Sequence, residues 1–228
     1  MTKGNDSREI IRLENVSKVY ETNGNKTSGV RNINLSIGTK ELLLILGPSG
    51  SGKTTLLTLI AGLIKPSSGS VFVFNKNIEE YGKKELQVLR AKKIGFIFQA
   101  FQLIESITVL DNIMLVQRFA GKENSECRER ALSLLEEFGI ESLAKKNPKT
   151  LSQGEKQRVA LVRAIANDAD LILADEPTAS LESAQGFEII NLLHKLAQNG
   201  KCVIVVSHDL RLKSFADRIL WLENGTVK

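Results

Sequence analysis

The segment 47–54, which reads Gly-Pro-Ser-Gly-Ser-Gly-Lys-Thr, constrains the fold of this chain more than any other feature. It matches the pattern G-x-x-x-x-G-K-[ST], follows the apolar run 41–46 and precedes a predicted helix at about 54–63. The glycines let the backbone curl so that successive N–H groups face an anion, and the start of the helix adds further unpaired N–H groups. Lys53 can reach the terminal phosphates and the Thr54 hydroxyl can ligate Mg²⁺. The sequence therefore predicts a nucleoside triphosphate site.

The composition is that of an ordinary globular protein. The length of 228 residues is long for one domain and short for two, and the 42% of hydrophobic residues suffices for a sizeable core. The net charge of +5 is mild, and we expect no nucleic-acid partner. Cys127 and Cys202 lie far apart and form no C-x-x-C pair, which favours a reducing, cytosolic setting over a disulfide or a metal site.

Neither a membrane span nor a targeting segment is predicted. No apolar stretch approaches the roughly 20 residues that cross a bilayer, so work at a membrane would need another chain to span it. Residues 1–8 are polar and lack the apolar core of a signal peptide, and we expect a flexible tail there.

The hydrophobic pattern divides the rest of the chain into three blocks. In the first block, strands are predicted at 10–16, 33–37, 42–46, 70–74 and 94–98, and a polar, turn-rich loop at 21–29. The middle block, about 100–150, shows no strand signal, and helices are predicted at 109–118 and 125–138. The last block returns to helices at 153–167 and 183–198 and strands at 171–174 and 202–206. Short apolar strands alternating with helices indicate an α/β fold with a buried parallel sheet and a helical insertion.

Two predicted strands end in residues that suit phosphate chemistry. Asp175 and Glu176 follow the strand 171–174, and His208 follows the strand 202–206. Ligands of open α/β sheets collect at the carboxyl ends of strands, where Asp175 can hold Mg²⁺ and Glu176 can polarise a water molecule. A strand that ends in polar turn residues and a surface histidine are the alternatives. His194 lies in the middle of a predicted helix and is interpreted as structural.

The segment Leu151-Ser-Gln-Gly-Glu155 has two compatible interpretations. Ser152 and Glu155 have the spacing of a capping box, which by itself explains them as the start of a helix. A helix N-terminus is also an anion site, so the same residues can contact a phosphate.

Taken in order, these motifs resemble the ATP-binding-cassette family, the nucleotide-binding subunits of ABC transporters. Segment 47–54 resembles its Walker A motif, and 171–175 resembles Walker B with Glu176 at the position of the catalytic base. The segment 151–155 resembles the signature, which in this family contacts ATP held by the opposite subunit. Ala179-Ser-Leu-Glu182 resembles the D-loop. The resemblance covers nearly the whole chain.

Single residues complete the resemblance. Gln99 matches the Q-loop glutamine, a ligand of Mg²⁺ and water that couples to the membrane partner. His208 matches the switch histidine, and Tyr20 matches the aromatic residue that stacks on adenine. The implied nucleotide contacts are Tyr20, Gly47, Pro48, Ser49, Gly50, Ser51, Gly52, Lys53, Thr54, Thr55, Gln99, Ser152, Gln153, Gly154 and Glu155. The implied catalytic residues are Glu176, His208 and Lys53, and the implied Mg²⁺ ligands are Thr54, Gln99 and Asp175.

The resemblance also implies an architecture. Residues 9–228 are expected to form a single ATPase domain with a phosphate-loop NTPase (RecA-like) core, an N-terminal antiparallel β-subdomain and an inserted α-helical subdomain. The core and the β-subdomain would take 9–99 and 151–228, and the helical subdomain would take about 100–150.

Three positions in two motifs depart from the family pattern. Gln153 stands where glycine is usual and Glu155 where glutamine is frequent, and the D-loop ends in Glu182 where aspartate is usual. Glu155 keeps the capping-box chemistry. Gln153 adds bulk where a backbone approaches a phosphate, so we expect a nucleotide sandwich that still forms but is less tight.

The resemblance implies ATP hydrolysis by two copies that face head to tail and drive a separate membrane permease. The chain would then lie on the cytoplasmic face of the inner or plasma membrane, held there by the permease. Segments 94–103 and 108–113 resemble the macrolide-exporter and lipoprotein-release subfamily in particular.

Three alternatives remain at this point. A soluble ABC ATPase without transport, as in iron–sulfur cluster assembly, would carry the same motifs. A kinase with a phosphate loop outside this family would leave 151–155 and His208 unexplained. A catalytically dead cassette is disfavoured because Lys53, Asp175 and Glu176 are present.

Overall fold

The computed structural model describes residues 8–22 and 25–228. Its strands are β1 (Glu9–Thr22), β2 (Asn25–Gly38), β3 (Glu41–Leu46), β4 (Ser68–Val73), β5 (Lys76–Asn77), β6 (Ile94–Ile97), β7 (Leu171–Asp175), β8 (Cys202–Ser207), β9 (Arg218–Glu223) and β10 (Thr226–Val227). Its α-helices are α1 (Lys53–Ile60), α2 (Lys83–Lys93), α3 (Val109–Phe119), α4 (Asn124–Glu137), α5 (Gln153–Ile165) and α6 (Ser183–Gln198). Short 3₁₀ turns cover Ile78–Glu80, Glu141–Leu143, Pro148–Thr150 and Leu210–Phe215.

A six-stranded sheet in the order β10-β9-β3-β8-β7-β6 carries the predicted site. The strands from β9 to β6 are parallel, and β10 is antiparallel to β9. Leu42 and Leu44 of β3 pack in the cluster built with α3 to α6, whereas Leu43 and Ile45 pack with α1 and the second sheet. The sheet is therefore buried on both faces, and the predicted α/β fold class is confirmed.

The strand register brings three carboxyl ends together. Leu46 of β3 pairs with Ser207 of β8, and Asp175 of β7 pairs with Val206 of β8. Because β3, β8 and β7 are neighbours, the loop after Leu46 lies at the same edge as the residues that follow β7 and β8.

The second sheet is antiparallel, in the order β2-β1-β4-β5. The prediction of a loop at 21–29 is wrong for its described part, since Tyr20 pairs with Thr27 and Thr22 with Asn25. The antiparallel ladder continues through main-chain hydrogen bonds, which need no apolar side chains, and the polar sequence therefore concealed it. Residues 23 and 24 lie outside the described part of the chain.

The segment from 98 to 170 contains helices and turns and no strand. Helices α3 and α4 lie close to the predicted 109–118 and 125–138. The subdomain boundaries at about 100 and 150 stay a prediction. The predicted tail, apart from Arg8, lies outside the described residues.

Several elements escaped the sequence pattern. Helix α2 has no buried residue and so shows no apolar stripe, and β9 is largely exposed. Helix α1 ends at Ile60, earlier than predicted, because Gly62 takes a positive φ of 62°.

Cys127 and Cys202 are both buried with free thiols, and burial raises the pKa of each thiol. No helix within the described ranges 8–22 and 25–228 has both the length and the apolar character that a membrane crossing requires.

Candidate nucleotide site at the carboxyl edge of the sheet

The loop between β3 and α1 follows the predicted phosphate-binding path. Gly52 is the residue before the helix and has a φ of 102°, a conformation that favours glycine. A Cβ there would clash with the carbonyl oxygen of Gly29, and one at Gly47 would clash with the carbonyl oxygen of Leu222. Gly50 also has a positive φ, 78°, but open space around it. The two crowded glycines thus explain why the backbone can take this path. Pro48, Ser49 and Gly50 are exposed, as a ligand-binding loop requires.

Lys53 is the first residue of α1 and is only 7% exposed. Its Nζ donates to the carbonyl oxygens of Gly47 and Pro48, both at 2.8 Å, and lies 4.0 Å from Oε1 of Glu176. Burial lowers the pKa of Lys53, while the nearby charges of Glu176 and Asp175 act in the opposite direction. The ammonium group is held inside the loop by contacts that a phosphate oxygen can replace.

Asp175 and Thr54 form a pair of oxygen ligands. The Thr54 hydroxyl donates to Oδ2 of Asp175 at 2.9 Å. The Asp175 side chain is 6% exposed, and its Oδ1 is buried without a hydrogen-bond partner. Burial raises the pKa of Asp175, the Thr54 hydrogen bond and Lys53 lower it, and Glu176 adds to the rise. A hard divalent cation fits this oxygen pair, because it would satisfy the orphaned carboxylate oxygen.

The described part of the chain contains no cluster of three or more His, Cys, Asp or Glu side chains with metal-binding geometry. A cation at Asp175 would therefore take most of its ligands from elsewhere. This pattern matches Mg²⁺, which uses one or two protein oxygens together with substrate phosphates and water.

Glu176 has a constrained backbone and a carboxylate with a hydrogen-bond contact at each oxygen. Its φ is 47°, in the left-handed region, and its N–H donates to the carbonyl oxygen of Val206 at 3.0 Å. Ser207 donates to Oε2 at 3.1 Å, and Nδ1 of His208 lies 2.9 Å from Oε1. A left-handed non-glycine residue costs on the order of 1–3 kcal/mol and persists where its surroundings hold it, often in active sites. The turn after β7 thus directs the carboxylate toward the end of β8.

The contact with Glu176 bears on which nitrogen of His208 carries a proton. An ionised carboxylate only accepts hydrogen bonds, so opposite an ionised Glu176 the Nδ1 of His208 is the donor. The ring's Nε2 is then an acceptor when the imidazole is neutral and a donor when it is charged. The His208 side chain is 58% exposed, so it is available to a ligand, whereas the Glu176 side chain is 10% exposed.

Tyr20 lies beside the phosphate loop. Its hydroxyl is 3.3 Å from Oγ1 of Thr55, and its ring is 39% exposed. A Cβ on Gly29 would come within 2.9 Å of both Tyr20 and Thr55. The predicted adenine-stacking residue is therefore next to the loop and partly exposed, with the ammonium of Lys18 over its ring at 5.5 Å from the centroid.

Gln99 lies two residues after β6 and is exposed. Since β6 is parallel to β7, it follows a strand that ends at the same edge as Asp175. No hydrogen bond joins Gln99 to the other predicted site residues within the described ranges, so this part of the site is not assembled by direct contact.

The residues of the signature segment 151–155 lie apart from the phosphate loop. The capping box is formed, with Ser152 N–H donating to Oε2 of Glu155 at 2.7 Å and the Glu155 N–H donating to Ser152 Oγ at 3.2 Å. This hydrogen bond from the Ser152 backbone lowers the pKa of Glu155. Ser152, Gly154 and Glu155 line a cavity of about 270 Å³ that contains no residue of the phosphate loop. Gln153 is exposed.

The D-loop segment 179–182 lies between the two groups. Leu181 lines the cavity of the signature residues and also a cavity of about 310 Å³ that includes Glu176 and His208. The structure therefore brings together the phosphate loop, Asp175, Glu176 and His208, and keeps the start of α5 apart from them.

Sequence reasoning missed two residues of the assembled site. Ser207 donates to Glu176, and Gly29 packs its carbonyl against Gly52. The position of Ser207 between an apolar strand and His208 was a usable signal. No local sequence pattern indicated Gly29, because the residue that it contacts, Gly52, lies 23 residues later in the sequence.

A family model described as ABC transporter matches residues 30–179. The chain belongs to the ABC transporter family. An uncharacterised ABC transporter ATP-binding protein of Methanocaldococcus jannaschii is 42% identical over 224 residues, which are 96% of this chain and 95% of the relative. A solved dimeric structure of that same cassette, in a post-hydrolysis state bound to ADP and Pi, superposes with a TM-score of 0.90 at 41% identity and covers 96% of this chain and 97% of the other.

A macrolide export ATP-binding/permease protein, MacB 2 of Yersinia pestis, is 37% identical over 227 residues. The match takes 100% of this chain and 34% of MacB 2, so the chain spans about a third of that relative. The predicted ABC family, its cassette fold and its ATPase class are confirmed, and a kinase outside the family is excluded. The roles of single residues in this ABC cassette stay predictions.

Proposed function

We propose that this ABC cassette hydrolyses ATP at a site shared between two copies of the chain and thereby drives a separate membrane permease. The observation that carries the proposal is the cluster at the carboxyl edge of the sheet. There Thr54 is bonded to Asp175, and Glu176 is bonded to Ser207 and His208 beside the buried Lys53. Phosphoryl transfer needs chiefly such positioning and charge neutralisation.

Lys53 and the loop backbone would bind the phosphates. The ammonium donates to the carbonyl oxygens of Gly47 and Pro48. A triphosphate offers charged acceptors in their place, and hydrogen bonds between charged groups are stronger than those to neutral carbonyls. Tyr20 would stack on the adenine through its exposed ring.

Thr54, Asp175 and Gln99 would hold Mg²⁺ together with phosphate oxygens. The orphaned Oδ1 of Asp175 and the adjoining Thr54 hydroxyl support this assignment. When bound, the cation would neutralise charge on the terminal phosphates and fix their orientation. Asp175 must be ionised for this role, although its buried position opposes ionisation.

Glu176 would accept a proton from the attacking water. Ser207 and His208 fix its two carboxylate oxygens and so orient the group, and the ammonium of Lys53 lies 4.0 Å from Oε1. For His208 to donate to the γ-phosphate as well, its ring must carry both protons or release Glu176. The 2.9 Å contact therefore makes His208 first an orienting group for the base, and a phosphate donor only after a second proton or a rotation.

The separate position of the signature supports a pair of chains. Ser152 and Gly154 open α5 in a cavity apart from the phosphate loop, so a second copy facing head to tail would bring its own signature to the bound ATP. The relative from M. jannaschii forms a dimer that holds ADP and Pi. The same arrangement in this chain would bury the exposed Gln153 at the seam between copies.

A groove of about 570 Å³ between α2, β6, α3 and α5 supports the contact with a permease. Val88 is 50% exposed and Phe119 is 70% exposed, and exposed apolar groups gathered in a groove mark an interaction surface. Phe98, next to Gln99, lines the same groove, so a partner there would act directly on the loop that carries Gln99. Binding to the permease would place the chain on the cytoplasmic face of the membrane.

The MacB relatives combine an ATP-binding part with a permease part, which supports an export or lipoprotein-release system. A soluble ABC ATPase without transport is the alternative. Copurification from a detergent extract separates the two: a membrane permease supports the proposal, and a soluble scaffold supports the alternative.

Glu176→Gln tests the catalytic assignment. The amide keeps the shape of the side chain but removes the base, so ATP turnover is expected to fall by at least roughly 100-fold. ATP binding should persist, and light scattering should show an ATP-dependent dimer at twice the 25.1 kDa of one chain. Glu129→Gln, an exposed glutamate on α4, is the control and should behave as the wild type. Rapid ATP hydrolysis by Glu176→Gln would contradict the assignment of Glu176 as the catalytic base.

A further inference from the structure

Arg163 lies on α5, ten residues after the helix begins, and is only partly accessible. Its Nη1 donates to the carbonyl oxygen of Gln102 at 2.5 Å, and its Nη2 donates to that of Phe101 at 2.6 Å. No carboxylate lies within ion-pair distance of this guanidinium among residues 8–22 and 25–228. Burial lowers the pKa of Arg163 to about 10, so the group remains charged at neutral pH. A partly buried cation without an acid is therefore balanced by two backbone carbonyls.

The two carbonyls belong to residues in an uncommon conformation. Phe101 has a φ of 58° and Gln102 a φ of 51°. Consecutive non-glycine residues in the left-handed region are rare and persist where the surroundings hold them. Phe101 N–H closes a turn on the carbonyl of Phe98 at 2.9 Å. The turn 98–102 contains Gln99 as its second residue, so the Arg163 contacts fix the turn that presents Gln99.

Helix α5 is itself firmly seated. A Cβ on Gly95 of β6 would clash with the carbonyl oxygen of Ala164, so helix and strand are in close backbone contact. Four residues after Arg163, Asn167 donates to the carbonyl oxygens of Ala91 and Val116, both at 2.8 Å. The base of the Arg163 side chain thus cannot shift alone, and movement of α5 is transmitted to the turn.

The same helix begins with Ser152 and the capping box. At a rise of about 1.5 Å per residue, Arg163 lies roughly 16 Å along α5 from the end that would meet the partner's ATP. Arg163 also lines the groove between α2, β6, α3 and α5, together with Phe98 and Asn167. One guanidinium therefore joins the signature helix, the turn of Gln99 and the floor of the groove.

We propose that Arg163 is a positioning residue of the ATPase, whose guanidinium clamps the turn 98–102 in the shape that presents Gln99 to the site and ties the position of that turn to helix α5. The inference rests on the proposed role of Gln99. Lysine cannot replace the clamp fully, because one ammonium lacks the planar fork that reaches two adjacent carbonyls together.

Hydrogen exchange on the nucleotide-free protein tests the clamp without any turnover. In Arg163→Met the amides of the peptide 98–104 should exchange about tenfold faster or more, because the turn opens locally. Arg163→Lys should give a smaller increase. Arg118→Met removes an exposed arginine of α3 and should leave this peptide unchanged. Unchanged exchange in Arg163→Met would overturn the clamp.

Turnover tests the action through Gln99. Arg163→Met should lower kcat by roughly 10- to 100-fold, as expected for misplaced catalytic geometry, with little change in the KM for ATP and a higher Mg²⁺ requirement. Added to Gln99→Ala, the same substitution should have almost no further effect, because both changes remove one function. Additive losses, or a loss that simply follows thermal stability, would assign Arg163 a structural role and overturn the proposal.

Two further outcomes remain decisive. If Arg163→Met fails to fold, Arg163→Lys is carried through the same exchange measurement and the same cycle with Gln99→Ala, and unchanged exchange or additive losses there overturn the proposal. If the wild type itself shows no ATP hydrolysis, the proposed function fails, while the exchange comparison still decides whether Arg163 holds the turn.

Discussion

Replacing Asp175 by asparagine is expected to stabilise the nucleotide-free protein while it removes activity. The carboxyl group is 6% exposed, its Oδ1 has no partner, and Glu176 is the next residue. Removing the negative charge from this buried, unpartnered acceptor is worth about 1–3 kcal/mol, even though the amide that replaces it is still polar. Against this, the hydrogen bond from Thr54 becomes a neutral one and the attraction of Lys53 is lost, which together cost roughly 1 kcal/mol. The net gain is about 1 kcal/mol, which raises Tm by about 2–4 °C in a chain of this size.

The gain should depend on pH in a defined direction. Burial raises the pKa of Asp175 in the folded chain above its unfolded value of about 3.9. Below the unfolded value both forms are neutral, and wild type and variant should be equally stable. As pH rises through the raised pKa of Asp175 the wild type loses stability, so the advantage of Asp175→Asn grows and then stays constant.

The assay is urea or thermal unfolding between about pH 3 and 8, a range that begins below the unfolded pKa of Asp175, with EDTA and without nucleotide. Asp170→Asn is the matched control, because Asp170 immediately precedes the same strand and pairs with Lys93 at the surface, at 2.7 Å. It should change stability by less than about 0.5 kcal/mol. Addition of Mg²⁺ and a non-hydrolysable ATP analogue should then stabilise the wild type more than Asp175→Asn. An Asp175→Asn protein that is less stable than the wild type at neutral pH would refute the reasoning, and so would a difference that ignores pH.

Two further predictions concern the loop and the signature. Gly52→Ala should abolish nucleotide binding in an equilibrium assay and destabilise the fold by more than about 2 kcal/mol, because the new methyl group meets the carbonyl oxygen of Gly29. Gly50→Ala places its methyl group in open space and should destabilise the fold by only about 1 kcal/mol. Equal effects of the two substitutions would contradict the geometry. Gln153→Gly should raise the ATPase rate by removing bulk at the exposed start of α5, and an unchanged rate would show that Gln153 does not loosen the sandwich.

Much of the fold could be predicted because strands that are buried on both faces appear in the sequence as short, continuous apolar runs. The runs 42–46, 171–174 and 202–206 appear as β3, β7 and β8 within one residue at each end. Helix α2 could not be predicted in this way, since none of its residues is buried and its exposed face gives no periodicity. The long pairing of β1 with β2 was concealed for a related reason, because backbone hydrogen bonds alone extend it.

The candidate site likewise has one part that local sequence patterns predicted and another part that depends on the tertiary structure. Lys53, Thr54, Asp175, Glu176 and His208 were all found from motifs, because each follows or opens a recognisable strand or helix. The contacts between them required the register of three parallel strands, which no local pattern contains. Arg163 was missed because its partners are two backbone carbonyls some 60 residues away, and backbone partners leave no trace in residue identity.

The shared ATP site is tested most directly by crosslinking between two copies. Ser49 and Ser152 are both exposed, and Cys127 and Cys202 are buried, so new thiols at the first two positions would react selectively. In Glu176→Gln carrying Ser49→Cys and Ser152→Cys, mild oxidation should give a covalent dimer that depends on ATP, and either cysteine alone should give none. A double variant that remains monomeric with ATP, or closes a disulfide within one chain, would contradict the head-to-tail site.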